Sequence, residues 1–263
     1  MDYGYQLLRH VVQQVFGNLA AAARLTLLLF LAPFLAFVLL GGGTLAMGGT
    51  ETPAGGLFLG IVVVGLVAVV AYCWAAVGWH RYVLLEEGGN GLLPAWRGDR
   101  VLSYFGRAFV VVIVVLIAVL GGGIVIGLVS AITQSVTVAV ALGIGLVFGA
   151  SWVATRIGLV LPAAALGERM TIGESWAATR PVASQILLPL IVIALVVGVV
   201  QQAILLAFGQ TVTVNTFGMA QEQIVLSVAG QVVNGVVSWL QILVNLSLMT
   251  TLYGNLIEGR QLN

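Results

Sequence analysis

Residues 108–120 read AFVVVIVVLIAVL. No polar residue interrupts them at either the helical or the strand period, so whatever element they form is apolar on every side. A transmembrane β-strand would alternate lipid-facing with lumen-facing residues, and neither this stretch nor LFLGIVVVGLVAVVAYCW at 57–74 alternates. A helix rising 1.5 Å per residue needs roughly 20 such residues to cross a hydrocarbon core of about 30 Å. Six apolar runs reach that length, at 25–47, 57–79, 108–130, 136–160, 185–208 and 225–252, and all six lack acidic residues. With 60% hydrophobic and 7% charged residues, the 263-residue chain is far from the roughly 25% charge of a globular domain. The expectation is an all-α integral membrane protein with six transmembrane helices.

The charges orient it. All ten basic residues are arginines, and all fall at the N-terminus, in the 2–3 and 4–5 loops, at the end of span 4 or in the C-terminal tail. Seven acidic residues share that side and leave it at +3, whereas the opposite loops carry only Glu51 and Glu222. Retention of basic residues in the cytoplasm puts both termini there. Long inner and short outer loops then group the spans as three hairpins. The inner exits YVLLEEGG (82–89), LPAAALGERM (161–170) and YGNLIEGR (253–260) resemble one another, as a repeated hairpin requires. The first run, preceded by Arg24, reads as a retained signal anchor, since five more follow it.

Residues 1–21 form a separate unit before the membrane domain of 22–263. GYQLLRHVVQQVFGNL places Leu7, Leu8, Val11, Val12, Val15 and Phe16 on one helical face, the pattern of a helix lying in the cytoplasmic interface. Two further interfacial helices are expected. LLPAWRGDRVLSYFGR sets Trp96, Tyr104 and Phe105 among arginines, and TIGESWAATRP opens with Thr171 and Glu174 at capping-box spacing and stops at Pro181. Gly56 with Gly60, Gly123 with Gly127 and Gly145 with Gly149 have the spacing of close helix packing, and Pro33 and Pro189 are expected to kink their spans.

Catalytic chemistry is hard to find. The chain has no lysine, which excludes the P-loop pattern and Schiff-base catalysis. His10 and His80 stand far apart without a cysteine or histidine cluster, and Cys73 is the only cysteine, so no metal site, cofactor or disulfide is expected. The acidic residues lie in loops, which removes the intramembrane carboxylates of proton-coupled carriers. No catalytic residue is assigned, and nothing points to nucleic acid. Arg81 and Arg156 stand at the inner ends of spans 2 and 4. They either snorkel to headgroups or form a buried phosphate-reading pair, with Arg97, Arg100 and Arg180 as further headgroup contacts.

One feature runs against the oil. Ser227, Gln231, Asn234, Ser238, Gln241 and Asn245 recur at spacings of 4, 3, 4, 3 and 4, one polar stripe along the sixth span. Three occupants fit it: a neighbouring helix held by polar glue, with Gln201 and Gln202 as partners; a hydrated cavity; or a second copy of the chain.

The run RIGLVLPAAALGERMTIGESWAATRP (156–181) has an arginine at a helix end, Leu-Pro, a short apolar stretch and a Ser-Trp-x-x-Thr helix. It resembles a repeated feature of small bacterial membrane proteins, among them the membrane domain joined to some glycerophosphoryl diester phosphodiesterases and its stand-alone relatives. The resemblance covers the inner parts of spans 4 and 5 and, more faintly, 78–107. It implies a multi-pass protein of the bacterial inner membrane; no hydrolase domain is present, so no catalytic activity comes with it. The expected function is non-enzymatic: organising lipid through anionic headgroups, or docking onto other membrane proteins or its own copy. A transporter with a polar path along the sixth span is the alternative.

Overall fold

The computed structural model describes residues 3–39, 54–88, 91–216 and 219–262. The helices are α1 (Tyr3–Phe16), α2 (Leu19–Ala22), α3 (Leu28–Leu39), α4 (Ala54–Leu85), α5 (Gly98–Thr133), α6 (Val136–Ile157), α7 (Val160–Leu166), α8 (Ile172–Ala178), α9 (Leu187–Phe208) and α10 (Val228–Leu256). A π-helical turn, Ala23–Leu27, joins α2 to α3, and a 3-10 turn, Arg180–Val182, follows α8. Six segments are long and apolar enough to cross a bilayer: Leu19–Ala36, Leu59–Leu85, Gly98–Thr133, Val136–Leu166, Leu187–Phe208 and Val228–Leu256. The chain is a multi-pass membrane protein. The far end of the expected first span, 40–47, lies outside the described residues, as does the side chain of Gly56.

Three expectations need correction. The loop after the fifth span is a two-stranded antiparallel ribbon, β1 (Gly209–Thr216) and β2 (Met219–Leu226), with Gly209 opposite Leu226 and Thr216 opposite Met219. Its TVTV alternation of β-branched residues is strand chemistry, and it delays the sixth helix to Val228. Second, the Trp96–Arg107 stretch is no separate helix: Gly98 to Arg107 form the opening turns of the 36-residue α5. Third, Pro189 sits in the first turn of α9, where its missing N–H interrupts no bond, so it kinks nothing; Pro33 is inside α3.

Burial is concentrated at the arginine-bearing end. Leu7 and Val11 of α1 pack with Leu84, Leu159, Ala163, Ile186, Leu248, Leu252 and Tyr253. A second group joins Cys73, Val77, Val101, Tyr104 and Ala164, and a third joins Val15, Trp79, Trp239 and Leu243. The face of α1 is therefore divided: Leu7, Val11 and Val15 are fully buried against protein, while Val12 and Phe16 stay exposed. At the opposite end the described helices are almost bare. Beyond Val111, α5 buries no residue, and α6 buries none before Thr155. A Cβ added at Gly60, Gly123, Gly127, Gly145 or Gly149 meets nothing within 4 Å. Among the described residues these glycines show no close packing; Gly122 makes the approach instead, against Leu146 of α6.

Candidate functional site

The Arg156 motif folds into a closed clasp. Between α6 and α7 the helix breaks at Gly158, which frees the carbonyl of Arg156 and the N–H of Leu159. Ser175 of α8 meets both: its hydroxyl donates to the Arg156 carbonyl at 2.7 Å and accepts from the Leu159 N–H at 3.2 Å. The Arg156 side chain, only 4% exposed, lies between two indoles, its central carbon 3.5 Å from the Trp176 ring centre and 4.8 Å from that of Trp152. Nε donates to Thr179 Oγ1 at 3.2 Å and Nη2 to the Trp176 carbonyl at 2.8 Å. Cation–π contact and charge-assisted hydrogen bonds thus replace water around a buried guanidinium. Thr171 and Glu174 close the expected capping box that starts α8. Ser175 and Thr179 of the Ser-Trp-x-x-Thr helix are thus both spent on Arg156 and the backbone beside it.

Other arginines do similar work at helix ends, where the last carbonyls lack intrahelical partners. Arg81 donates to the Ala165 carbonyl near the end of α7 at 2.9 Å and grips Glu87 with Nε and Nη2 at 2.8 and 2.6 Å. The Arg81 guanidinium holds the Glu87 carboxyl below the usual carboxylate range, and Arg97 reaches the same carboxylate at 3.3 Å. Arg260 donates to the Leu84 carbonyl at 2.5 Å, at the end of α4. Arg107 donates to the carbonyls of Val160 and Glu168. The three similar inner exits are thus three helix C-termini. The first two leave through left-handed residues, Glu86 and Gly167, and the third reaches Gly259 three residues after α10 ends.

Arg81 and Arg156, paired in one reading of the sequence, each have separate protein partners. Arg100 pairs with its neighbour Asp99 and lies against Gly167. Arg180 falls in the 3-10 turn and is exposed.

A buried polar network crosses the arginine-bearing end. His80 is fully buried; its Nδ1 lies 2.7 Å from Thr250 Oγ1 and its Nε2 lies 3.5 Å from the Tyr104 hydroxyl. Because the Thr250 hydroxyl donates to the Leu246 carbonyl at 2.7 Å, His80 Nδ1 is assigned as the donor to Thr250. Trp79 donates to Ser247 at 3.0 Å, Trp239 to Thr26 at 2.9 Å, Thr251 to Gln14 at 3.0 Å and Tyr3 to Asn255 at 2.8 Å. The π turn sets Thr26 for this, and its own hydroxyl donates back to the Ala22 carbonyl. Next to the network lies a cleft of about 230 Å³ of mixed lining, polar at His10, Gln14, Thr250 and Asn255 and apolar at Val83 and Leu262.

The sequence reading missed this network because it followed polar residues down the sixth span and stopped at Asn245. Ser247, Thr250, Thr251 and Asn255 continue the helix on another face; the three hydroxyls bond to ring nitrogens or an amide, and the Asn255 amide to the Tyr3 phenol, all distant in sequence. Among the described residues the stripe makes no hydrogen bond to another helix. Ser227 caps α10, accepting from the Gly230 N–H at 3.2 Å, and Gln231 bonds to the Leu226 carbonyl. The buried amide oxygen of Asn234 has no partner among the described residues. Gln201 and Gln202 form no hydrogen bond to the stripe. Ser238 and Gln241 are half-buried, and Asn245 is exposed.

Among the described residues, no group of three His, Cys, Asp or Glu is placed to hold a metal. Compared with protein-family models, curated proteins and solved structures, the chain matches none.

Proposed function

We propose that this is a non-enzymatic protein of the bacterial cytoplasmic membrane, with both termini in the cytoplasm, that works by lateral association with lipid and other membrane proteins. Its six spans are organised as three hairpins. The observation that carries this reading is the contrast between the two ends of the bundle. At the arginine-bearing end the charged and polar groups of the clasp and network are consumed by intramolecular bonds. At the other end α5 and α6 present exposed aliphatic residues and, at Gly123, Gly127, Gly145 and Gly149, glycines with no described residue beside them. Glycine-lined faces suit close approach by another helix, and exposed Val12 and Phe16 suit contact between α1 and acyl chains at the inner interface. Kinship with stand-alone relatives of phosphodiesterase membrane domains belongs to the same proposal, and rests on the 156–181 motif.

The test is native mass spectrometry of the full chain released from nanodiscs, beside purification in mild detergent from its own membrane. Retained phospholipid or a stoichiometric membrane-protein partner is the expected result. A lipid-free monomer with no companion in either preparation refutes the proposal. Substrate-dependent flux in proteoliposomes, abolished by Asn234→Leu, would instead establish the transport alternative.

A further inference from the structure

The stripe along α10 points to a specific partner. At 3.6 residues per turn, Gln231, Ser238 and Asn245 lie along one line of the helix, turned roughly 80–160° from Trp239 and Leu243, which anchor this stretch in the bundle. One heptad further on, Leu252 is buried in the bundle, so the line is open only as far as Asn245. Gln231 and Asn245 are exposed and Ser238 is half-exposed. Neither Ser238 nor Asn245 makes a hydrogen bond to any described residue. Gly235 sits beside them, and a Cβ added there meets nothing within 4 Å.

Depth makes this arrangement costly for a lone chain. α10 has 29 residues, so its midpoint falls near Ile242 and Asn245 lies about 5 Å from it. A side-chain amide facing hydrocarbon without a partner is penalised by several kcal/mol, and asparagine is too short to reach either interface.

We infer that the face of α10 bearing Gln231, Gly235, Ser238 and Asn245 is the seam of a parallel homodimer, each copy's α10 lying against the other's. Two features select a second copy over a different helix. Copies inserted with the same orientation place identical residues at the same depth, and an amide or hydroxyl carries both donor and acceptor, so each pairs with its own counterpart. The 4-3 spacing holds one face together along a left-handed pair of helices crossing at a small angle. Gly235 and Ser238 are small enough to let the backbones approach. The inference rests on the association reading above and names its partner.

Cysteine cross-linking in native membranes tests it. Cys73, the only cysteine, is buried in the bundle and is first replaced by alanine. Ser238→Cys or Asn245→Cys in that background should give an oxidant-dependent dimer band, and Val199→Cys, exposed on α9, should not. Adding Asn245→Leu to the Ser238→Cys chain should weaken dimerisation about threefold, the equivalent of one interhelical polar contact of about 0.6 kcal/mol. Absence of a band at both seam positions, or an equal band at Val199→Cys, overturns the inference. So does a dimer fraction unchanged by Asn245→Leu. If the seam fails while lipid or a different protein co-purifies, the association reading stands and only the homodimer falls.

Discussion

The Arg156 clasp and Gly167 show how single residues carry this fold. Removing the Ser175 hydroxyl strands the buried Leu159 N–H and leaves the Arg156 carbonyl only its longer 3.4 Å bond from Thr179 at the α6–α7 break, so Ser175→Ala should destabilise by about 1–3 kcal/mol. Arg156→Lys keeps the charge but loses the planar stack between Trp152 and Trp176 and the Nε bond, and a cost of about 2 kcal/mol is expected. Equilibrium unfolding in mixed micelles measures both. Gly167 combines a φ of +93° with the Arg100 guanidinium lying where a Cβ would go, whereas Gly259 has a φ of +70° and open space. Gly259→Ala should therefore cost about 1–2 kcal/mol of backbone strain alone. Gly167→Ala should cost more, and the same unfolding assay ranks the two.

At the scale of elements, helix ends and helix pairs account for most of the packing. Glu87 ties the end of α4 to Arg81 and Arg97, and its carboxyl is held below the ordinary range. A carboxyl lowered by folding contributes stability above its unfolded pKa and loses it as pH falls through the lowered value. Thermal stability should decline below about pH 4, and Glu87→Gln should flatten that decline while lowering stability at pH 7. For the α5–α6 pair, Gly122→Val should destabilise because Leu146 occupies the space. Gly127→Val should leave unfolding unchanged, having no neighbour to displace. The sequence showed the spans because transfer to oil is local and additive: 108–120 announces itself without knowledge of any neighbour. The capping box at Thr171 and Glu174 was legible for the same reason. The β-ribbon was present in TVTV but was hidden by polar residues that read equally as a loop. Glycine spacing alone could not tell Gly122, which touches α6, from Gly123 and Gly127, which touch nothing, because a pair motif does not say on which face the partner lies. The His80 network lay further out of reach, since Thr250 and His80 are 170 positions apart.

For the whole molecule, stability is unevenly distributed along the membrane normal. The arginine-bearing end holds the apolar clusters, the clasp, the helix caps and the His80 network. At the other end the β1–β2 ribbon ties α9 to α10, and the remaining described helices keep little beyond their immediate neighbours, such as Gly122 with Leu146. A bundle fixed at one rim behaves like the ribs of a fan joined at a rivet. When the bilayer thins, long apolar helices such as α5 must tilt to keep their surface covered, and only the ends away from the rivet are free to swing. Spin-label distances between the tips of α5 and α9 should change between short-chain and long-chain lipid vesicles, while distances between α1 and the end of α4 stay constant. The one-sided core therefore predicts that membrane thickness is felt at the bare tips, with the arginine-bearing rim as the fixed reference point.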